Sequence, residues 1–131
     1  MIDQIVVPPS VHIAAGGVLF LVAAAALVLT ALEARRRHPL SRTTVAVLAV
    51  LQLLLLAQTL IGIKLLDQGH GVRQLYIHYV GGFAPIGFYL ALAWLPARDQ
   101  VWRTYATAAV TALTFVFVLL TFAVGSMYVN G

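Results

Sequence analysis

A chain of 131 residues that is 62% hydrophobic and only 9% charged cannot cover a water-facing surface, because soluble domains carry about 25% charged residues. It has no cysteine, which excludes disulfides, thiolate metal sites, c-type heme attachment and cysteine nucleophiles. The formal charge of +4 gathers in loops between apolar stretches, so it reads as membrane topology and excludes nucleic acid as a partner.

Four apolar segments follow one another, over about 11–32, 43–66, 75–95 and 104–127. Each is roughly 20 residues or longer, enough to cross a hydrocarbon layer of about 30 Å as a helix. Short connections make sequence neighbours antiparallel. The expectation is one all-α transmembrane domain over 1–131, an up-down-up-down four-helix bundle in contact with lipid. Pro8 and Pro9 suit the first turn of span one, where a missing N–H costs least, and Ser10 is a candidate cap. Pro85 lies well inside span three, just after Gly81 and Gly82, and should bend that helix. Trp94, Trp102, Tyr76, Tyr79 and Tyr128 fall near span ends as an aromatic belt, and Tyr89 reads as a belt or packing residue.

Loop one carries Arg35, Arg36, Arg37 and Arg42, and loop three Arg98 and Arg103, while loop two has Arg73 against Asp67. The positive-inside rule places loops one and three in the cytoplasm and both termini outside, as in a bacterial inner membrane. The opening "MIDQIVVPPS" has no basic residue, so span one should remain attached rather than be cleaved as a signal.

The halves of the chain can be laid over each other. "HIAAGG" (12–17) matches "HYVGG" (78–82), and "AQTLIG" (57–62) falls near "LTFAVG" (120–125). His12 precedes Gly62 by 50 positions, and His78 precedes Gly125 by 47. Two helical hairpins in parallel repeat would form a pseudo-symmetric bundle, with any site between matching helices one and three.

His12 and His78 are the residues that carry chemistry. Both lie about one turn inside spans that enter from the same side, so their imidazoles should stand at one depth on diagonal helices. Two neutral histidines facing each other in a bundle suit axial ligation of a heme iron. Gly16 and Gly82 each follow a histidine by four positions and so share its helix face, leaving room for a porphyrin against the backbone.

On these motifs the chain resembles the membrane-embedded b-type cytochromes, such as cytochrome b561-like four-helix proteins and the four-helix halves of heme A synthase. The resemblance implies one heme b held by His12 and His78 near the outer face, and electron transfer with a quinol or a partner protein. Cytochrome b561 holds two hemes with four histidines. Here His38 sits in a basic loop and His70 in "QGHGV", so the spans can build one bis-histidine site at most.

The remaining polar positions are few. Gln52 and Gln58 in span two should face the bundle interior, with Gln58 able to bond a cofactor, a quinone or another helix. Lys64 can snorkel as an anchor; Lys64, Arg73 and His70 could also meet heme propionates. Thr107, Thr111, Thr114 and Thr121 can bond their own helix backbone. The acids, Asp3, Glu33, Asp67 and Asp99, lie at edges or in loops, which disfavours a proton-coupled transporter. No phosphate-binding glycine loop and no hydrolytic set is present. Two readings follow: a small membrane cytochrome, not an enzyme by itself, or a non-catalytic accessory subunit of a larger membrane complex. A transporter half, needing a polar path at mid-membrane, is a third.

Overall fold

The structure is a computed structural model, which describes residues 5–70, 75–96 and 98–129, the side chains of 75–77 and 126–129 excepted. Four α-helices follow in order: α1 (Pro9–Arg35), α2 (Arg42–Asp67), α3 (Leu75–Trp94) and α4 (Gln100–Val129). The spans expected from hydropathy are therefore helices, extended by a few polar residues at most ends. Three of them, α1, α2 and α4, are long and apolar enough to cross a membrane. At 20 residues and without a charged side chain, α3 has a length of about 30 Å.

The helices stand as a square. Each packs on its sequence neighbour, and α1 closes the ring against α4, the most extensive contact. The α2–α3 pair is the thinnest, and the diagonals make no close backbone approach among the described residues. Small side chains explain the α1–α4 contact. The buried face of α1 is Gly16, Leu19, Ala23, Ala26, Thr30 and Ala34, and that of α4 includes Thr104, Thr107, Thr111, Thr114 and Val118. Both run in steps of three and four residues, alternating throughout except at the last step of α1, the spacing that keeps a seam facing its partner in a left-handed bundle. Where lipid removes the hydrophobic drive between helices, small residues let backbones approach and gain dispersion contacts. Large apolar side chains such as Leu21, Leu53 and Leu90 point outward instead. An apolar exterior over a small-residue interior is the organisation of an integral membrane protein.

Helix ends are set by local chemistry. Pro8 is the N-cap residue of α1 and Pro9 lies in its first turn, while Ser10 is already helical and provides no side-chain cap. Ser41 caps α2 by accepting from Thr44 N, and Asp99 accepts from Trp102 N at the start of α4. The α2 end closes with Gly69 at φ +81°, with Gly69 N bonded to Leu66 O and His70 N to Leu65 O. That left-handed turn favours glycine. At the arginine-loop end, Glu33 Oε1 accepts from Thr44 Oγ1 at 2.7 Å and from Ser41 N at 3.2 Å. Thr104 Oγ1 donates to His38 O, pinning that loop to α4.

Pro85 lies inside α3, which continues past it, and is fully buried. Tyr89 is buried in the core rather than at a membrane edge. Thr111 Oγ1 donates to Thr107 O, so the Tyr89 hydroxyl donates to Thr111 Oγ1 at 2.9 Å. Thr107 and Thr121 bond Arg103 O and Phe117 O of their own helix, as expected. The tyrosines at 76 and 128 fall outside the described side chains.

Candidate functional site

At the end of the bundle opposite the arginine loop, His12 of α1 and His78 of α3 converge across the diagonal. Their ring centroids are 5.8 Å apart with planes at 62°. Both rings are half-buried, yet the Nδ1 atom of each is buried and without a hydrogen-bond partner. Buried polar atoms are ordinarily satisfied; Glu33 Oε2, Gln58 Oε1 and Thr114 Oγ1 share this state with the pair. The ring of Tyr79 meets His78 edge-on and borders an open groove lined by Tyr79, Val80, Phe83 and Ala84.

The glycines around the pair obey the repeat. The position a Cβ would occupy on Gly62 lies 3.5 Å from His12 Cε1, and on Gly125 it lies 3.7 Å from His78 Cε1. Each imidazole thus lies over a bare patch of the other helix in its own hairpin. A second pair sits one turn inward. A Cβ on Gly16 would lie 3.2 Å from Gln58 Nε2, and one on Gly81 would collide with Thr121 Oγ1. Gly17 and Gly82 match as well, since both face open space. The counterpart of Gly16 is therefore Gly81, not Gly82. Positions three and four after a histidine share its face, and the second hairpin uses the former.

Gln58 was the polar residue least constrained by sequence, and it joins the site. Its Nε2 donates to His12 O at 3.0 Å and stands 3.4 Å from His12 Nε2. Its Oε1 is buried without a partner. Thr121 occupies the matching place in the second hairpin, where its hydroxyl donates to Phe117 O. Gln52 does not face the interior: it is exposed and bonds Leu48 O of its own helix. Lys64 is paired with Asp67 at 2.6 Å, and His70 is exposed. Arg73 lies outside the described residues.

Two imidazoles sharing one first-row metal through nitrogens at about 2.0–2.1 Å stand with centroids roughly 6 Å apart. The observed separation of 5.8 Å suits such a pair. Gly62 and Gly125 leave bare backbone on α2 and α4 beside the rings. The space at Gly16, in contrast, is filled by Gln58 and Phe122. The donors brought together are two imidazoles, and among the described residues no group of three or more His, Asp or Glu gathers. A bare zinc takes three or four protein ligands, whereas a pair of imidazoles would complete the coordination of a heme iron.

No family model, no curated protein and no solved structure matches this chain.

Proposed function

We propose that this chain is a small membrane cytochrome that holds one heme b between His12 and His78 and passes single electrons. The observation that carries the reading is the convergence of the two imidazoles across the bundle diagonal at 5.8 Å. The unpartnered Nδ1 atoms add to it, as do the bare backbones of Gly62 and Gly125 against the rings.

When bound, the heme supplies a one-electron couple whose potential is tuned by its axial ligands, burial and hydrogen bonds. The chain's own residues do the rest. His12 and His78 supply neutral nitrogen donors from two different hairpins, so ligation would also tie the hairpins together. Gly62 and Gly125 leave bare backbone beside the rings. The largely apolar surroundings disfavour extra charge. With the arginine-rich loop in the cytoplasm, as the positive-inside rule has it, the site lies near the outer face. An electron donor or acceptor there, a quinol or a partner protein, would meet it from that side.

The test is the reduced-minus-oxidised absorption spectrum of protein purified gently from its native membrane, repeated on His12→Ala and His78→Ala. The expected result is a sharp b-type α-band that is lost in both variants. A featureless spectrum from the wild-type chain would sink the cytochrome reading and leave the accessory-subunit reading in its place.

A further inference from the structure

The two halves of the site correspond in histidine, in packing glycine, in open glycine and in the glycine beneath each ring, but Gln58 stands where the second hairpin has Thr121. We propose that Gln58 is the positioning residue of the site, holding the His12 ring, by donating to Nε2, in the tautomer that carries its proton on Nδ1.

The geometry fixes the amide first. Gln58 Nε2 lies 3.0 Å from the His12 carbonyl oxygen. Turning the amide over would set Oε1 against that oxygen, two acceptors face to face, so the NH2 group must point there. One of its hydrogens is committed to the carbonyl. The other is available to His12 Nε2, which stands 3.4 Å away. A ring nitrogen that accepts from an N–H cannot carry a proton itself, which leaves the proton of the neutral ring on Nδ1. Gly16 is part of the device: a methyl group there would lie 3.2 Å from Gln58 Nε2 and press on the amide, and the long 3.4 Å contact to His12 Nε2 is the one with least to spare.

Across the bundle, among the described residues, no side chain stands in the same relation to His78: the Thr121 hydroxyl is spent on Phe117 O at 2.7 Å. The two imidazoles thus have different neighbours. A metal bound at His12 Nε2 would take over the electron pair to which the amide donates. That use of the pair rests on the proposed function, while the tautomer does not.

The experiment is nitrogen NMR on the full chain, labelled with 15N-histidine and reconstituted heme-free in lipid vesicles. It compares wild type, Gln58→Leu, Gln58→Glu and Gly16→Ala. Wild type is expected to show His12 with an unprotonated Nε2, in about the tenfold excess that one hydrogen bond supports. Gln58→Glu should reverse that preference, because a carboxylate accepts from an Nε2–H. Gln58→Leu and Gly16→Ala should both give mixed tautomers. The His78 signals should stay put throughout and report that the bundle is intact. A protonated His12 Nε2 in wild type, or the same tautomer in wild type and Gln58→Glu, would overturn the proposal. Should the Gln58 variants not fold, the Gly16→Ala spectrum decides alone, unchanged tautomers counting against it. Loss of the heme reading shows separately, as a featureless absorption spectrum beside an intact tautomer result.

Discussion

A Cβ on Gly81 would run into the Thr121 hydroxyl, which cannot turn aside without giving up Phe117 O. The α3–α4 interface beside His78 therefore depends on that glycine, whereas its neighbour Gly82 faces open space. Gly81→Ala should destabilise the bundle by about 1–3 kcal/mol, as overpacking of a tight contact does. Gly82→Ala should be neutral or slightly stabilising, because alanine is the better helix former. Thermal unfolding of the two variants in detergent, followed by circular dichroism, compares them directly. Equal midpoints would mean that the close approach at Gly81 is not made.

The bare backbones under the imidazoles give a graded prediction. With 3.5 Å between a Cβ on Gly62 and His12 Cε1, and 3.7 Å at Gly125 and His78, alanine fits in ordinary contact at both. Leucine does not. Gly62→Ala and Gly125→Ala should retain the b-type band, and Gly62→Leu and Gly125→Leu should lose it while helix content is kept. Absorption and circular dichroism on the same samples check both halves of the statement.

The Tyr89 hydroxyl is buried and bonded to Thr111 Oγ1 at 2.9 Å. Removing the donor and removing the acceptor are unequal acts. Tyr89→Phe should cost about 0.5–1.5 kcal/mol, the net worth of one hydrogen bond. Thr111→Val should cost more, about 1–3 kcal/mol, since it leaves a buried hydroxyl without its acceptor. In a membrane both figures shift toward the lower end of their ranges. A double-mutant cycle on unfolding free energy measures the coupling, and additive single effects would show that the bond contributes nothing.

The segment before α1 is held by one side chain. Gln68 Oε1 accepts from Val7 N at 2.9 Å, and Gln68 Nε2 donates to Val7 O at 3.0 Å. Gln68→Ala should remove the hydrogen-exchange protection of the Val7 amide while protection inside α1 stays unchanged. Mass-spectrometric exchange over the N-terminal peptide reads this out. Retained protection at Val7 would place the restraint elsewhere.

Much of this was legible in the sequence. The four spans follow from apolar length, and the shared depth of His12 and His78 follows from helix parity and distance to the span end. The likeness of the two halves was visible in the His-to-Gly spacings, and in the structure each of those glycines lies beside its own hairpin's histidine. What the sequence left open was rotation. A helix turns about 100° per residue, so a single-residue offset in the alignment decides whether Gly81 or Gly82 meets α4. The same uncertainty sent Gln52 inward on paper, though it faces outward. Tyr89 read as a belt or packing residue, and its burial with Thr111 decides for packing. The Ser41 and Asp99 caps had a signal in "PLSRTT" and "ARDQVW", polar residues just ahead of apolar runs.

Because each hairpin brings one imidazole and the glycine beneath it, neither half holds the site and either half implies the other. A two-helix ancestor of half this length, meeting its own copy, would place two identical histidines about a rotation axis, and symmetry would forbid any difference between them. Joining the copies into one chain lifts that constraint. Gln58 opposite Thr121 is a difference that one chain permits and two identical copies would not.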